Sequence, residues 1–369
     1  MSRLSAARAT TRPAPPATTD PGPHGGSWDV AVPPPARHGG DGARVAAALG
    51  LDPADVLDLS ASVNPLAPDV AVVAARHLRS LRCYPDPAAA GDALAEAIGV
   101  ARSRLLLTNG GAEAIALVAA EIGGHVDEPE FALHPRGGAP RWRSNPHNPT
   151  GLLAPAGEHA AVWDEAFYPL ATGTWTRGDP DAVVVGSLTK LLACPGLRLG
   201  YVLADPDLVD RLRRRQPGWS VSGLAAAALP ELLATADLPG WSAGIAELRA
   251  ELTALLHAHG LEPLASDANF VLCRRAAGLR SRLIPHGVVV RDCATFGLPD
   301  HARVAVPDAT GLDRLRIALE RSAAPETAVP GTAPLRRSVL ATATRSGDQP
   351  AITTGPGTPP GSRPGRHEP

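Results

Sequence analysis

The sequence predicts an α/β protein with a mostly parallel central sheet and a smaller second domain. Strand-like runs alternate with segments of helical spacing, and this alternation indicates the α/β class. A chain of 369 residues that is 44% hydrophobic is enough for a large core and too long for one small domain. The second domain is indicated by several short strand-like runs that precede a closing helix near the end of the predicted ordered chain.

In the first domain, the sequence predicts a helix at 113–122 (EAIALVAAEI), a buried strand at 182–186 and another strand at 199–203. Both strand segments are short apolar runs. Such runs are typical of parallel sheets, whose strands are covered on both faces.

In the second domain, apolar residues at helical spacing predict a long helix that Gly260 ends as a C-cap. The residues with this spacing are Ile245, Leu248, Leu252, Leu255 and Leu256. Short strands at 269–273, 288–291 and 302–306, and a closing helix at 310–321, complete the predicted domain.

Two proline-rich tails flank this ordered part. Residues 1–36 contain TTRPAPPATTDPGP and VPPPAR, and residues 323–369 contain TTGPGTPPGSRPG. Segments of this composition bury too little apolar surface to offset the entropy lost on ordering. Both tails are therefore predicted to be disordered.

Charge and cysteine content exclude several classes of function. The formal net charge of -2 gives no reason to expect nucleic acid or an anionic membrane as partner. The cysteines have no metal-ligand spacing, which predicts reduced thiols in a cytoplasmic protein and no metal site; they are Cys83, Cys194, Cys273 and Cys293. We find no apolar run of membrane-spanning length and no secretory signal in the sequence.

One segment predicts an anion-binding site. The stretch LLLTNGGAEAI runs from a strand through Gly110 and Gly111 into a helix. Free backbone N–H groups and the positive end of the helix dipole attract a negative group at such a position. A glycine pair before a helix is weak evidence taken alone.

Three other segments add candidate side chains. RSNPHNPTG is a loop dense in amide groups, and VWDEAFY places Asp164 where a strand of a parallel sheet would emerge. In VVVGSLTKLLACPGLRLGY, Lys190 follows a buried strand, and Arg198 comes eight residues later. A lysine that follows a strand is usually exposed to solvent and has no catalytic role. The prediction of a functional site therefore depends on the four segments taken together.

Together and in this order, the four segments resemble fold-type I pyridoxal-phosphate enzymes of the class I and II aminotransferase family, over roughly residues 39–319. The resemblance implies pyridoxal 5'-phosphate as cofactor, a large domain with a mostly parallel sheet, and a smaller C-terminal α+β domain. It divides the ordered chain into an N-terminal segment at 37–79 that packs on the active site or the small domain, a large cofactor-binding domain at 80–235 and a small domain at 236–322.

The resemblance also implies individual roles. Lys190 would form a Schiff base with the cofactor aldehyde. Asp164 would keep the ring nitrogen protonated, so that the ring can accept electrons from the bond that breaks. Asn148 would donate to the ring hydroxyl. The cofactor phosphate would be bound by an arginine fork and small residues around it, namely Arg198, Ser187, Gly111 and Ala112.

Two further stretches narrow the resemblance. HGGDGARVAAALGLDPADVLDLSASVNPLAP is similar to the opening of threonine-phosphate decarboxylases of cobalamin synthesis. VVVRDCATFGLPDHARVAV is similar to that group and to histidinol-phosphate aminotransferases. This implies that His38 and Asn64 lie over the active site and contact the substrate, and that Arg303 binds its α-carboxylate. Tyr84 would reach the cofactor phosphate of a partner subunit, which implies a homodimer.

The chain departs from the family in length. Between Glu113 and Asn145 it is much shorter, and no helix is predicted between Thr150 and Asp164. The loss of crossover helices would leave part of the sheet uncovered or require a partner to cover it.

The aromatic residues near the cofactor also depart from the family. Phe131 is the candidate for stacking on the cofactor ring, and His134 is the second candidate. Phe167 stands where aminotransferases commonly carry a tyrosine, and Tyr168 would point to the other face if the strand continues. Because Phe167 lacks the hydroxyl of that tyrosine, the sequence slightly disfavours transamination.

Three functions remain open from the sequence. The first is a decarboxylase of L-threonine O-3-phosphate or a close analogue. The second is an aminotransferase of the histidinol-phosphate type, in which Lys190 moves the proton at Cα. The third is a shortened relative that binds cofactor or partner without turnover, which the deletions favour and the intact Lys190, Asp164, Asn148 and Arg198 oppose.

Overall fold

The computed structural model describes residues 32–323, so most of both predicted tails lies outside the described residues. The first eleven elements are α1 (Gly42–Leu49), β1 (Leu57–Leu59), α2 (Val70–Arg76), α3 (Ala88–Ile98), β2 (Leu105–Asn109), α4 (Gly110–Ile122), β3 (His125–Val126), β4 (Arg141–Ser144), β5 (Val162–Asp164), α5 (Tyr168–Thr172) and β6 (Val183–Ser187).

The elements that follow are α6 (Leu188–Leu191), β7 (Leu199–Leu203), α7 (Pro206–Arg215), α8 (Gly223–Ala234), α9 (Leu238–Ala258), β8 (Glu262–Pro263), β9 (Phe270–Arg274), α10 (Leu279–Leu283), β10 (Val288–Asp292), β11 (Ala302–Ala305) and α11 (Ala309–Ala323). Every strand and helix predicted from the sequence is present within a few residues of its expected bounds, except that the long helix α9 begins earlier, at Leu238.

Six strands form the larger sheet, in the order β2-β7-β6-β5-β4-β3. Strands β3 to β6 pair in parallel, whereas β7 runs antiparallel to both β6 and β2. The predicted α/β class with a mostly parallel sheet is therefore confirmed. Because β4, β5 and β6 run in the same direction, their carboxyl ends meet at one edge of the sheet.

Five strands form the smaller sheet, in the order β1-β10-β11-β9-β8. The strand β1 pairs in parallel with β10, so the N-terminal segment completes a sheet that otherwise comes from the last part of the chain. Its hydrophobic core includes Leu252 and Leu256 of the long helix α9. Gly260 follows the C-cap His259 of that helix with a φ of 75°, the left-handed conformation that favours glycine after a helix end.

The shortened part of the larger sheet is closed by tryptophans and a loop. Trp142 in β4 and Trp163 in β5 are fully buried, although no helix lies between these strands in the described chain. The Arg177 guanidinium lies 4.8 Å from the centre of the Trp163 ring. It also donates to the carbonyls of Pro155 and Ala156, which holds the connecting loop beside this tryptophan. The expected exposure of the sheet is thus avoided at these two positions.

Two further observations concern the range 32–323. None of its helices combines the length and the apolar character that crossing a bilayer requires. Its four cysteines are free thiols, and no cluster of histidine, cysteine and acidic side chains there has the arrangement of a metal site.

Candidate active site

A cavity of about 290 Å³ opens at the carboxyl ends of β4, β5 and β6. Each of these strands contributes its last residue to the wall: Ser144, Asp164 and Ser187. Ligands of open α/β sheets bind at this edge, because the loops after parallel strands converge there. Side chains from β10 and β11 of the smaller sheet form part of the wall, so both sheets build the same site.

The start of α4 forms a cradle for an anion. Gly110 has a φ of 73°, and a Cβ there would lie 2.5 Å from Nη2 of Arg198. At Gly200 in β7, a Cβ would lie 2.4 Å from the carbonyl carbon of Gly110, so only glycine lets this strand run against the helix start. The free N–H groups of α4 therefore face the same space as Arg198 and Ser187.

Lys190 lies in the cavity wall, in the short helix that follows β6. Burial, and then the positive charges of Arg303 and Arg198, lower the pKa of its ammonium group to about 8. A lowered pKa means that a larger fraction of the side chain is a neutral amine near pH 7. The neutral amine is the form that attacks a carbonyl and accepts a proton.

Asp164 ends β5 and is held by two hydrogen bonds. Its Oδ1 accepts from the backbone N–H of Ala166 at 3.0 Å, and its Oδ2 lies 2.9 Å from Nε2 of His134. The strand ends here, and Tyr168 begins the helix α5. The alternation that would have pointed Tyr168 to the other face of a continuing strand therefore does not apply.

Two arginines from the smaller sheet enter the cavity. Arg291 on β10 and Arg303 on β11 are direct neighbours in the strand register, and both are buried. Nη1 of Arg303 donates to Oδ1 of Asn148 at 2.6 Å. Burial lowers the pKa of both guanidinium groups, that of Arg303 to about 10.

Neither of these arginines, nor Arg198, has a carboxylate within ion-pair distance among the residues from 32 to 323. Removing a guanidinium from water without a counter-ion is costly. Arg291 and Arg303, which are buried, therefore indicate a ligand or ligands with several negative groups, and Arg198 is an exposed cation that lines the same cavity.

Ten of the residues predicted from the sequence line this one cavity: His38, Gly111, Ala112, Phe131, Asn148, Asp164, Ser187, Lys190, Arg198 and Arg303. His38 reaches it from the segment that precedes α1, and its ring meets the Phe131 ring edge-on at 5.8 Å. This segment is tied to the smaller sheet, because Arg291 donates to the carbonyls of Ala36 and Arg37.

Asn64 does not line the cavity, contrary to the prediction that it contacts the substrate. Its side chain accepts from the N–H of Leu66 and donates to the carbonyl of Leu191, both at 3.0 Å. Its own backbone N–H donates to the carbonyl of Lys190. With these bonds, Asn64 fixes the turn that carries Lys190.

His134, the second stacking candidate, is also placed differently. It is buried outside the cavity lining, with one ring nitrogen bonded to Asp164 rather than a ring face turned to the cavity. Tyr84 lies outside the cavity as well and is 80% exposed.

Among the residues of the site that were not predicted from the sequence, three are polar or charged groups that bear on its chemistry. Arg291 and Thr189 line the cavity, and Thr189 Oγ1 lies 2.7 Å from Ser187 Oγ. Glu130 lies behind His134. The VVVRD motif was a signal for Arg291, because it places an arginine near the end of a buried strand. Glu130 gave no comparable signal, since its role depends on contacts between distant segments.

The donor set fits pyridoxal phosphate. The helix start at Gly111 and Ala112, with Ser187 and Arg198, provides a phosphate site, and Gly110 leaves room that a Cβ would fill. Lys190 would supply an amine for the cofactor aldehyde, and Asp164 would supply a carboxylate for the ring nitrogen.

Comparison with known proteins gave matches of one class. A model of the family "Aminotransferase class I and II" matches residues 142–321. A threonine-phosphate decarboxylase from Salmonella typhimurium is 32% identical, with 76% of this chain and 95% of the relative covered. A histidinol-phosphate aminotransferase from Dechloromonas aromatica is also 32% identical, with 74% and 75% covered.

A solved structure shows the same fold. The histidinol-phosphate aminotransferase from Sinorhizobium meliloti, determined in complex with pyridoxal-5'-phosphate, matches with a TM-score of 0.67 and 19% identity. The match covers 76% of this chain and 94% of that one.

Proposed function

Because the chain belongs to the class I and II aminotransferase family of pyridoxal-phosphate enzymes, we propose that it removes the carboxylate of L-threonine O-3-phosphate or a close analogue. The family, the fold and the cofactor agree with the sequence predictions. The protein is thus an enzyme of the aminotransferase and decarboxylase class. The choice of decarboxylation and of this substrate is the proposal.

The observation that carries the proposal is the cross-strand pair of Arg291 and Arg303. Like charges directly opposite each other on two strands are destabilising. Here both are buried, and neither has a carboxylate partner in the described chain. An amino acid with a phosphate beside its α-carboxylate carries two negative groups on neighbouring carbons, which matches two neighbouring guanidinium groups.

The roles follow from the contacts. Arg303, held by Asn148 at 2.6 Å, binds the α-carboxylate. Arg291 and His38 bind the substrate phosphate, because both line the cavity and Arg291 also fixes the segment that carries His38. This phosphate is mostly a dianion near pH 7, so several donors are needed.

When bound, pyridoxal phosphate supplies the electron sink for the bond that breaks at Cα. The bond between Cα and the carboxylate carbon breaks, carbon dioxide leaves, and the Lys190 ammonium group returns a proton to Cα. The negative charge leaves the carboxylate as the bond breaks. A strong interaction between Arg303 and the carboxylate would therefore stabilise the bound substrate more than the transition state and would not speed the step. Phosphate contacts away from the reacting carbon can supply binding energy without this cost.

A second candidate is transamination of the histidinol-phosphate type. The relative from Dechloromonas aromatica, similar over 74% of this chain, is named for that reaction. In this case Lys190 would remove the proton from Cα. Histidinol phosphate has no carboxylate, so the Arg291–Arg303 pair would then serve the second substrate, an amino acid with two carboxylates.

A mass balance separates the two reactions. With threonine phosphate as substrate, we expect carbon dioxide and aminopropanol phosphate in equal amounts, with or without 2-oxoglutarate. Free threonine should react much more slowly, because the binding energy of the phosphate is lost. Glutamate formed only when the oxo acid is present, without carbon dioxide, would assign the enzyme to the aminotransferases.

We also propose that the enzyme is a homodimer whose sites contain Tyr84 from the partner subunit. Tyr84 is 80% exposed, and its ring lies 4.8 Å from that of Trp219, which is 66% exposed. Three more exposed apolar side chains come from the stretch just before Tyr84: Val72, Leu78 and Leu81. Exposed apolar side chains concentrated in this way are typical of protein interfaces.

Complementation tests the composite site. Tyr84→Ala and Lys190→Ala proteins should each have little activity. Mixing equal amounts under conditions that exchange subunits should restore up to about a quarter of the wild-type activity, because about half of the dimers are then mixed and each mixed dimer contains one intact site of two. Lys190→Ala mixed with Asp164→Ala is the control that should not complement, because both changes fall in the part of the site that one chain provides. A fully active monomer in sedimentation would contradict the proposal.

A further inference from the structure

His134 lies buried between two carboxylates. Its Nε2 is 2.9 Å from Oδ2 of Asp164, and its Nδ1 is 3.6 Å from Oε2 of Glu130. Within the described chain, Nδ1 has no hydrogen-bond partner. The rings of Phe131 and Trp142 lie 5.7 Å and 5.9 Å from the imidazole, so its surroundings are otherwise largely apolar. Electrostatic interactions are stronger in such surroundings than in water.

Glu130 is arranged as a charged acceptor. Its carboxylate oxygens accept from the N–H of Ser144 at 2.7 Å, from the hydroxyl of Ser144 at 2.6 Å and from the N–H of Phe131 at 3.1 Å. An ionised carboxylate only accepts hydrogen bonds, and donors to it stabilise the charged form. His147 adds a ring nitrogen 3.8 Å from the other side of this carboxylate.

The charge on Glu130 decides where a proton rests. If the imidazole of His134 were neutral and donated through Nε2 to Asp164, the lone pair of Nδ1 would face the negative Oε2 of Glu130, and the two would repel each other. An imidazolium carries a proton on Nδ1 as well, so the interaction with Oε2 is then attractive. Without the charge on Glu130, the same proton could instead rest on Asp164, which would then be a poor acceptor for another N–H group.

We propose that Glu130 keeps His134 as an imidazolium, and that this pair keeps Asp164 an ionised acceptor for the protonated ring nitrogen of the cofactor. Glu130 and His134 are positioning residues, because they act through Asp164. Other charged groups lie near these three residues. Lys190 and Glu165 are near Asp164, Arg143 is near Glu130, and Arg136 donates to the carbonyl of His134. The inference rests on the enzyme's use of pyridoxal phosphate and holds for either proposed reaction.

Ring nitrogen NMR of the holoenzyme tests the charge directly. In protein labelled with ¹⁵N at histidine rings, with the His134 signals identified by their loss in His134→Gln, both nitrogens should carry protons at pH 7. In Glu130→Gln, one ring nitrogen should lose its proton at the same pH. Asp127→Asn removes an exposed carboxylate three residues away and should leave the signals unchanged. A neutral His134 in the wild type would overturn the proposal, and this result needs no folded Glu130 variant.

A double-mutant cycle tests whether Glu130 acts through His134. Glu130→Gln should lower kcat about 10- to 100-fold, as expected for loss of a residue that orients a reacting group. In the His134→Gln background, the same change should alter kcat less than about twofold, because its target is already absent. An equal loss in both backgrounds would show that Glu130 is merely structural. Failure of the substrate assignment would leave the NMR result unaffected, so the two proposals fail separately.

Discussion

Lys190→Ala is expected to abolish the visible absorption band of the holoenzyme and to lower kcat by about 10⁴-fold or more, because the variant lacks both the covalent link and the group that moves the proton at Cα. The chain contains a single lysine. Borohydride reduction followed by peptide mass spectrometry should therefore place the cofactor on the peptide that contains Lys190.

Arg214→Ala is the control for Lys190→Ala, since it also removes one positive charge, from an exposed position on α7. It should retain the band and the activity. A wild-type protein that remains colourless after addition of pyridoxal phosphate would contradict the cofactor assignment itself. A variant that lacks Lys190 and still turns over at the wild-type rate would contradict its role.

Asp164→Ala is expected to keep the visible band and to lower kcat by about 10³-fold, because the ring nitrogen loses the carboxylate that keeps it protonated. Steady-state kinetics and the absorption spectrum of the same preparation separate these two effects. The decrease in kcat should include the effect of losing the hydrogen bond between Asp164 and His134, because the imidazole would no longer have this carboxylate as its partner.

A cofactor analogue provides a sharper control for Asp164→Ala. Pyridoxal phosphate methylated at the ring nitrogen carries the positive charge permanently and should restore part of the lost activity in the variant. Asp181→Ala, which removes an exposed carboxylate before β6, should remain fully active with the ordinary cofactor. Normal turnover of Asp164→Ala would show that the carboxylate has another task.

The segments that we expect to hold the cofactor could be predicted because each is continuous in sequence. Gly110 and Gly111 sit between a strand and its following helix, and Lys190 follows the strand β6 within one turn. Local chemistry determines such turns: glycine permits the left-handed conformation, and the end of a buried strand in a parallel sheet points to the ligand edge. The cavity lining contains these residues together with Asp164 and Arg198.

Residues whose role depends on other segments were predicted less well. Asn64 lies more than a hundred residues from the turn that it fixes, and nothing in its own neighbourhood shows that the carbonyl of Leu191 needs a donor. His134 is the second candidate for ring stacking, after Phe131, on the resemblance of its segment to the family. Its bond to Asp164 arises only when the shortened stretch after α4 folds back beside β5.

The sequence by itself determined the alternation of strands and helices and the anion-binding helix start, because these depend on neighbouring residues and on spacing along the chain. The assignment of Lys190 to the cofactor came from the resemblance of four segments to a known family. Only the tertiary structure decided that Arg291 stands opposite Arg303, that Glu130 and His134 support Asp164, and that Asn64 is turned away from the cavity. The physical reason is that strand register and buried hydrogen bonds join segments far apart in sequence, so they are set by the packing of the whole core.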